Sequence, residues 1–375
     1  MKMRFRIHVF LALIVICYTF LSGQEPYNTA APNGYTKKAM VSEQVGLTQV
    51  TITYHRPAVR GREGKIWGQL VPEGFVDQGF GNGQPAPWRA GANENTVIEF
   101  DKDVKIEGRP LTRGKYGLFI AYGPVESTVI FSKRYDSWGS FFYDEKEDAL
   151  RVRVRNQALD KSVEYLRYEF TNQTPDSAAL ILAWEKLAIP IRIEVDLLEQ
   201  QFEAFNTELQ NPRSYTPEAL TIAARWALQN DYRLDRSLEW ATRASGAQFP
   251  GNPTFFPALS TRAEITMKLG RSEEAITAVR MALPFGTMAE LHEFGRYLLT
   301  VKASSAAVEV FQFNYNKNPN QITTLIDMAR GLSATGDYAK ALDYASRALP
   351  FAATEEEKQS VKAMIEKLKR GTNIN

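Results

Sequence analysis

Cysteine and histidine are the residue types that this sequence has least of. The 375 residues include one cysteine, Cys17, and three histidines, His8, His55 and His292. One cysteine excludes an internal disulfide, and a chain processed after residue 23 would also lack a thiolate nucleophile. No H-x-x-x-H or H-x-x-E spacing joins the histidines, so we expect neither a metal site nor a cofactor.

The sequence also lacks the short motifs that mark common enzymes. It contains no G-x-S-x-G elbow, no Walker loop and no paired glycine fingerprint. The glycine-rich segment 79–83 follows no strong strand and opens no helix, which favours a loop over a phosphate cradle. These absences favour a protein that is not an enzyme, and they leave no catalytic residue to name.

Charge of one sign is scarce as well. The formal net charge is +2, and Lys2, Arg4 and Arg6 supply three of the positive charges. Without these three residues the chain is close to neutral, with a net charge of about −1. A near-neutral chain attracts phosphate backbones poorly, so we expect no nucleic acid partner.

The only long apolar run lies at the start of the chain. Three basic residues precede the run from Val9 to Leu21, and the polar Gln24 follows it. The run is shorter than the roughly 20 residues that span a bilayer. We therefore predict a signal peptide over residues 1–23, export to the periplasm or the extracellular space, and no membrane span after cleavage; an uncleaved anchor is the alternative.

The next part of the chain has β character. After an extended lead-in over residues 24–36, the pattern predicts an antiparallel β-sandwich over residues 37–196. The segment Arg151–Arg155 alternates apolar and cationic residues, as in a strand with one solvated face. The other predicted strands are 50–54, 96–100, 104–107, 116–121, 127–131, 166–171, 179–185 and 189–195.

Beyond Asp196 the period changes from 2 to 3.6. We predict a connecting helix over residues 197–212, helix pairs over 213–352 and a capping helix over 353–375. The triplet Thr216-Pro217-Glu218 supplies a cap, a first-turn proline and an acid, which together indicate a helix start.

The helical part repeats itself. The features at Gly270, Ala275 and Ala282-Leu283-Pro284-Phe285 recur 66 residues later, at Gly336, Ala341 and Ala348-Leu349-Pro350-Phe351. This displacement is about two units of a 34-residue repeat, with one unit near Ala307 between them and a degenerate one near Trp240 before them. The pattern resembles the tetratricopeptide repeat, which implies a surface for a protein or peptide partner.

A polar cluster in the β part is the candidate ligand site. Guanidinium groups and tryptophans suit carboxylates and sugar rings. The hypothesis is a site for a carbohydrate or a carboxylate, or less favourably a hydrolase that uses Glu94 as general base. In the structural alternative, Arg89 pairs with Glu94, Trp88 fills the end of the sandwich and Gly91 turns the chain. The candidate residues are Arg56, Arg62, Trp88, Arg89, Asn93 and Glu94.

Several motifs resemble the bacterial domain-of-unknown-function family 2911. The motifs span residues 36–195 and include Ser42-Glu43-Gln44-Val45-Gly46, Tyr54-x-Arg56-Pro57, Ile66-Trp67-Gly68, Trp88-Arg89-x-Gly91-x-Asn93-Glu94 and Trp138-Gly139. The resemblance implies a compact β domain in an exported protein, mostly of the Bacteroidota, and it implies no activity. The segment from Glu73 to Pro87 is longer than in the shorter members of the family.

Together these patterns favour an exported, non-enzymatic binding or scaffolding protein that contacts a protein or peptide through its helical repeats. The alternative is small-ligand binding, or less favourably hydrolysis, at the cluster in the β domain.

Overall fold

The computed structural model describes residues 36–79, 81–212 and 214–375, so the predicted signal peptide and nearly all of the lead-in lie outside the described residues. The chain divides between Glu194 and Val195 into a β unit and a helical unit. Each unit is described by itself below.

The described part of the β unit contains ten strands in two antiparallel sheets. The six-stranded sheet has the order β1-β2-β3-β6-β7-β8, and the four-stranded sheet has the order β5-β4-β10-β9. The strands are β1 (Lys37–Val45), β2 (Thr48–Arg56), β3 (Thr96–Phe100), β4 (Val104–Ile106), β5 (Arg109–Leu111), β6 (Gly114–Ala121), β7 (Glu126–Ser132), β8 (Asp148–Arg155), β9 (Gln157–Thr171) and β10 (Ser177–Glu194).

Alternation of apolar and polar residues accounts for these strands. In β8 the side chains of Leu150, Val152 and Val154 are buried, while Arg153 and Arg155 between and after them are exposed. Because successive side chains of a strand point to opposite faces, this pattern pins the strand to one register. The predicted antiparallel β class is confirmed.

The end of the β unit differs from the prediction. The segments predicted as two strands, 179–185 and 189–195, form the single strand β10, which pairs with β9 along most of its length. The register shifts at Glu185, whose φ is 52°. A bulge therefore absorbs the polar interruption at this point, and the chain stays in the sheet instead of turning.

Tyrosines connect the two sheets. The Tyr54 hydroxyl on β2 accepts a hydrogen bond from the Tyr168 backbone N–H on β9, 3.1 Å away, and the two rings meet edge to face. Burial raises the pKa of Tyr168 well above its usual value. Contacts of this kind are expected between the layers of a sandwich, while the stacked arrangement of the sheets stays a prediction.

The described part of the helical unit contains ten α-helices. The helix α1 packs through Phe202 and Phe205 against α2 and the turn that follows it. Of the residues described, none lies in a helix long and apolar enough to cross a membrane. The helices are α1 (Leu197–Glu208), α2 (Pro217–Gln229), α3 (Leu234–Ala244), α4 (Phe256–Lys268), α5 (Ser272–Ala282), α6 (Met288–Thr300), α7 (Ser304–Lys317), α8 (Ile322–Ala334), α9 (Tyr338–Ala348) and α10 (Glu355–Lys369).

The predicted repeat is visible in the turns between paired helices. The pairs are α2–α3, α4–α5, α6–α7 and α8–α9, and α10 follows them. Two residues after the first helix of each pair, the chain takes a left-handed conformation, with φ of 52° at Asp231, 74° at Gly270, 62° at Lys302 and 84° at Gly336. Glycine adopts this conformation without steric cost, which explains why the two glycine-containing units were the recognisable ones in the sequence.

Candidate functional site

The segment Pro87–Asn95 leads into β3 and is bonded to β6 of the six-stranded sheet. Backbone hydrogen bonds connect Trp88 with Ile120 of β6 in both directions, at N–O distances of 3.0 and 2.8 Å. Ala90 and Asn93 carry the left-handed turns, with φ of 51° and 60°. Gly91 lies in the same bend without a positive φ, and a Cβ atom there would lie 2.6 Å from the Thr96 hydroxyl oxygen, so close packing favours a glycine.

Arg89 is held by its own loop. Its Nη1 donates to the Asn93 carbonyl oxygen at 2.7 Å, and its Cζ lies 5.1 Å from the centre of the Phe141 ring. Gly139 has a φ of 58°, and a Cβ atom there would lie 2.2 Å from the same Cζ, so a side chain at this position would displace the guanidinium. Burial lowers the pKa of Arg89.

The partner of Glu94 is His55 rather than Arg89. The His55 Nε2 and Glu94 Oε2 atoms are 2.5 Å apart, although they lack the alignment of a hydrogen bond, so we treat the contact as electrostatic. Asn93 Nδ2 lies 3.1 Å from His55 Nδ1 and 2.8 Å from the Thr36 hydroxyl. Burial lowers the pKa of His55, and the neighbouring Glu94 opposes this effect.

The other two arginines bind backbone carbonyl groups. Arg56 Nε donates to the Leu166 carbonyl at 2.9 Å. Arg62 donates to the carbonyls of Val59 and Ala58 at 2.9 and 2.7 Å, which closes its own turn. The structure thus brings Trp88, Arg89, Asn93 and Glu94 together in one loop, but the guanidinium groups mainly support the backbone. Ligand binding by these six residues stays a prediction.

Trp88 belongs to an aromatic cluster. Its ring stacks on that of Trp184 at 6.0 Å and meets Trp67 edge to face at 5.5 Å, while Tyr122 lies 5.0 Å from Trp67. The indole N–H of Trp88 donates to the Gly91 carbonyl at 3.1 Å. Trp88 is therefore a packing residue whose polar atom is already satisfied by its own loop.

We expect Arg89→Ala to lower the free energy of unfolding of the β unit by about 2 kcal/mol. The change removes a charged hydrogen bond to a backbone carbonyl and the contact with the Phe141 ring. Chemical denaturation measures the effect, and hydrogen exchange of the β3 and β6 amides monitors the unfolding of the β unit. The matched control is Arg153→Ala, because that side chain is 79% exposed and should change stability by less than about 0.5 kcal/mol. Equal stability of the two variants would contradict the supporting role.

Two grooves open on the helical unit, along the first helices of its pairs. The acidic groove, of about 480 Å³, is lined from α2, α4 and α6 by residues that include Arg225, Glu264, Glu290, Glu293 and Tyr297. The basic groove, of about 430 Å³, is lined from α6, α8 and α10 by residues that include His292, Arg296, Arg330, Glu357 and Met364. The helix α6 separates them and contributes to both.

Glu264 is the buried charge of the acidic groove. Its side chain is 8% exposed, and Oε1 lies 3.7 Å from Nη2 of Arg225, which also donates to the Thr261 hydroxyl at 2.8 Å. Burial raises the pKa of Glu264 to about 7, against the opposing effect of Arg225. Burial and then Glu264 raise the pKa of Tyr297 to about 12. Glu264 is therefore a carboxyl group that is only partly ionised at neutral pH.

We expect Glu264→Gln to stabilise the helical unit at high pH only. A carboxyl whose pKa rises from 4.5 in the unfolded chain to about 7 on folding destabilises the fold increasingly as pH rises between those values. The free energy of unfolding of the variant should exceed that of wild type by on the order of 2 kcal/mol at pH 8.5 and should differ little from it at pH 4.5. Hydrogen exchange of α4 amides measures this difference, with the exposed Glu273→Gln on α5 as control. A gain that does not change with pH would refute it.

A second buried acid supports the basic groove. Asp327 on α8 is fully buried, and its Oδ1 lies 2.7 Å from Nδ1 of His292, while Oδ2 has no hydrogen-bond partner among the described residues. Burial raises the pKa of Asp327, and the hydrogen bond to Asp327 raises that of His292. The pair thus holds its proton more tightly than the two groups do in water.

A larger groove lies elsewhere on the helical unit, beside α3. It has a volume of about 1060 Å³ and is lined mainly from α3 and the segment 246–249, together with Arg271 and Glu274 at the start of α5. Its charges pair with each other, since Arg271 contacts Asp235 at 2.7 Å and Arg236 contacts Glu239 at 2.5 Å. We therefore assign it less chemical significance than the two smaller grooves, each of which has a buried acid in or beside it.

The sequence did not predict the acidic groove or the basic groove. Their walls combine residues of different repeats, which stand 25 or more positions apart, and no short motif joins them. The available signal was an acid inside an apolar helical segment, such as Asp327 between Ile326 and Met328.

Comparison with known proteins agrees with the two units. Residues 36–193 match the family model described as "Protein of unknown function (DUF2911)". No curated protein matches the chain. Among solved structures, the helical part is similar to a tetratricopeptide repeat protein from Parabacteroides merdae, with 17% identity, a TM-score of 0.32, and coverage of 47% of this chain and 70% of that one.

Two further structures show the same kind of similarity. YrrB, described as a tetratricopeptide repeat protein with an unusual peptide-binding site, has 14% identity, a TM-score of 0.29, and coverage of 45% of this chain and 86% of that one. The APC/C hetero-tetramer Cut9-Hcn1 has 15% identity and a TM-score of 0.31, over 46% of this chain and 33% of that one, so this chain spans only a third of it. Residues 36–193 thus match the DUF2911 family model, and the helical unit that follows them has four recurring turns of the kind expected for tetratricopeptide-like repeats.

Proposed function

We propose that this chain is a binding or scaffolding protein that holds an extended segment of another protein across the first helices of its repeats. The observation that carries the proposal is the pair of adjacent grooves on either side of α6, each backed by a buried ionisable group. Their volumes, about 480 and 430 Å³, suit individual side chains or short segments of a partner.

The cost of these buried groups supports a binding role. A buried carboxyl group destabilises a fold unless it is well paired, and an apolar residue of similar size would pack there at no such cost. Glu264 and Asp327 are both buried beside a groove, and Asp327 leaves one oxygen without a hydrogen-bond partner among the described residues. Buried ionisable groups with shifted pKa values are concentrated at binding sites and active sites.

A selection from a library of displayed dodecamer peptides, with the full chain as target, tests the proposal. Ala289 and Ser360 are exposed positions that line the acidic and the basic groove, so Ala289→Trp and Ser360→Trp should block the grooves without disturbing the core. The matched control is Ser346→Trp on the exposed side of α9. Selected peptides should bind the blocked variants at least tenfold more weakly than the control, and equal binding to all three would overturn the proposal.

We also propose export of the protein after removal of residues 1–23, with the periplasm or the extracellular space of a member of the Bacteroidota as its location. The support is the basic start of the chain and the short apolar run from Val9 to Leu21. Expression of the full chain in a bacterial host followed by fractionation and N-terminal sequencing tests it. A first residue near Gln24 in the exported fraction is expected, and an unprocessed chain in the cytoplasm would overturn it.

A further inference from the structure

We infer that the bound segment carries one cationic and one anionic side chain, three or four residues apart, which occupy the acidic and the basic groove on either side of α6. This inference rests on the proposed function and names the chemistry of the partner. It follows from the opposite charge of two neighbouring grooves that share a helix.

The acidic groove offers a place for a cation. Its walls hold three carboxyl groups, Glu264, Glu290 and Glu293, against the single guanidinium of Arg225. Glu290 is occupied by the cap of α6, where its Oε2 accepts from the Thr287 backbone N–H at 2.9 Å. The side chain of Glu293 is 80% exposed, whereas that of Glu264 is 8% exposed. A lysine or arginine that reaches into this groove meets a surface acid first and a buried acid next.

Aromatic and apolar groups make this groove suitable for a long cationic side chain. Phe256, Phe294 and Tyr297 line it together with Pro257. The methylene stem of a lysine or arginine can pack on such a surface while its charged end reaches a carboxylate. A bare metal ion or a small ammonium ion would leave these apolar walls without a contact.

The basic groove has the opposite character. His292 is hydrogen-bonded to Asp327 and its Nε2 also lies 3.7 Å from Glu293 Oε1, so the other charged residues that line the groove are Arg296, Arg330 and Glu357. Glu357 is occupied by the cap of α10, where it accepts from the backbone N–H groups of Ala353 and Thr354 at 2.7 and 3.1 Å.

The two arginines are available to a ligand. Within the described residues neither arginine has a carboxylate oxygen within 4 Å, and the Arg330 side chain makes a long hydrogen bond of 3.4 Å to the Ile374 carbonyl. Both arginines act on the buried Asp327 only at longer range, where they lower its pKa. Burial lowers the pKa of Arg330, and the neighbouring Arg296 adds to this effect. Two like charges held close together in a partly buried groove are stabilised by an anion between them.

The geometry of α6 sets the spacing of the two charges. Glu293 and Tyr297 face the acidic groove, while His292 and Arg296, one position earlier in each case, face the basic groove. A helix with its side chains is roughly 10–12 Å across. An extended peptide advances about 3.3 Å per residue, so three to four residues carry the chain from one groove to the other.

Fluorescence anisotropy with the full chain and four labelled dodecamers tests the inference. The probe peptide places Lys and Glu four positions apart in a Thr/Gln/Ala background. The other three have Lys at both positions, Glu at both positions, or Gln at both positions. We expect the Lys/Glu peptide to bind at least tenfold more tightly than each of the others. This expectation does not depend on the direction in which the peptide chain crosses α6.

Charge variants of the protein supply a second comparison. Arg296→Glu should shift the preference to the peptide with two lysines, and the milder Arg296→Gln should weaken the Lys/Glu peptide about tenfold without favouring another. Glu264→Gln should weaken peptides that carry Lys at the first position and leave the Glu/Glu peptide unchanged. Arg153→Gln serves as the matched control. The Arg153 side chain on β8 is largely exposed, and its replacement should change none of the four affinities.

Proton release provides a readout that independent structural damage would not produce. A cation beside Glu264 lowers the pKa of that carboxyl from about 7, so binding of the Lys/Glu peptide at pH 7 should release a fraction of a proton. Calorimetry in two buffers of different ionisation enthalpy measures this release. It should vanish in Glu264→Gln.

The outcomes separate this inference from the proposed function. Equal binding of all four peptides, abolished by Ala289→Trp and Ser360→Trp, overturns the charge inference and keeps the peptide-binding role. In a second outcome, none of the four peptides binds, while the displayed library yields peptides that bind in the grooves but lack the charge pair. This outcome also overturns the charge inference and keeps the peptide-binding role. Failure of both the library and the four peptides overturns both proposals.

Discussion

Replacement of Phe311 by alanine is expected to lower the free energy of unfolding of the helical unit by about 4 kcal/mol. Phe311 lies on α7, is fully buried, and belongs to the core that α4–α8 share. Its ring occupies the space in front of two glycines: a Cβ atom on Gly295 would lie 2.2 Å from Cε1, and one on Gly331 would lie 3.0 Å from Cδ2. Neither glycine carries a side chain that could move into the cavity, so the lost volume stays empty.

Chemical denaturation with hydrogen exchange of α6 and α8 amides measures this effect. Phe313→Ala, two residues away and only partly buried, is the matched control and should cost roughly half as much or less. A reciprocal test uses Gly295→Ala, which forces a methyl group into the ring and should itself destabilise. Addition of Phe311→Leu to that variant should recover part of the loss, and an additive result would show that the two residues do not share this space.

The second large effect is expected at Trp184 in the β unit. Trp184→Ala should lower the free energy of unfolding of that unit by about 4 kcal/mol, because the indole is 1% exposed and packs against Trp88 and Trp67 at 6.0 and 6.1 Å. Its ring nitrogen has no hydrogen-bond partner among the described residues. We therefore expect Trp184→Phe to cost much less, about 1 kcal/mol, since it also removes a buried and unsatisfied donor.

Thermal and chemical denaturation of both variants, followed by hydrogen exchange of β6 and β10 amides, measure these differences. Trp138→Ala provides a control for tryptophan removal as such, because that side chain is 50% exposed. The packing argument fails if Trp138→Ala and Trp184→Ala destabilise the β unit equally. A Trp184→Phe variant as unstable as Trp184→Ala would instead show that the nitrogen has a partner in solution.

Periodicity explains which parts of the fold could be predicted. The strand Thr96–Phe100 alternates buried and less buried residues within its five positions, and its predicted bounds match the structure. The repeat was found through Gly270 and Gly336, because a left-handed turn selects glycine. The equivalent turns at Asp231 and Lys302 use residues that give no such signal, so only the structure shows that all four turns are alike.

Local sequence distance explains the errors. Arg89 and Glu94 are five residues apart, and this proximity suggested an ion pair. The left-handed residues at Ala90 and Asn93 redirect the loop, so Arg89 reaches the Asn93 carbonyl and Glu94 reaches His55 on β2. In β10 a polar interruption resembled a turn, yet the bulge at Glu185 kept the strand in its sheet. The deciding contacts that are distant in sequence are those of Glu94 with His55 and of β10 with β9.

The candidate site in the helical unit lay beyond sequence reasoning for a related reason. The repeat predicted that a shared surface exists, but the charge of each groove depends on which residues of different helices meet. Glu264 and Tyr297 come from separate helix pairs, as do His292 and Asp327. A period of 34 residues fixes the helices, and the sequence between the repeated small residues is free to vary.

The stacked indoles of Trp88 and Trp184 also give the β unit an optical property. Their rings are 6.0 Å apart and inclined by only 20°, a geometry in which the electronic transitions of two indoles couple. The two tryptophans of the helical unit, Trp226 and Trp240, contact tyrosine and phenylalanine rings instead. Circular dichroism of the indole bands should therefore follow the β unit selectively, and unfolding of one unit can be observed in the intact chain without any label.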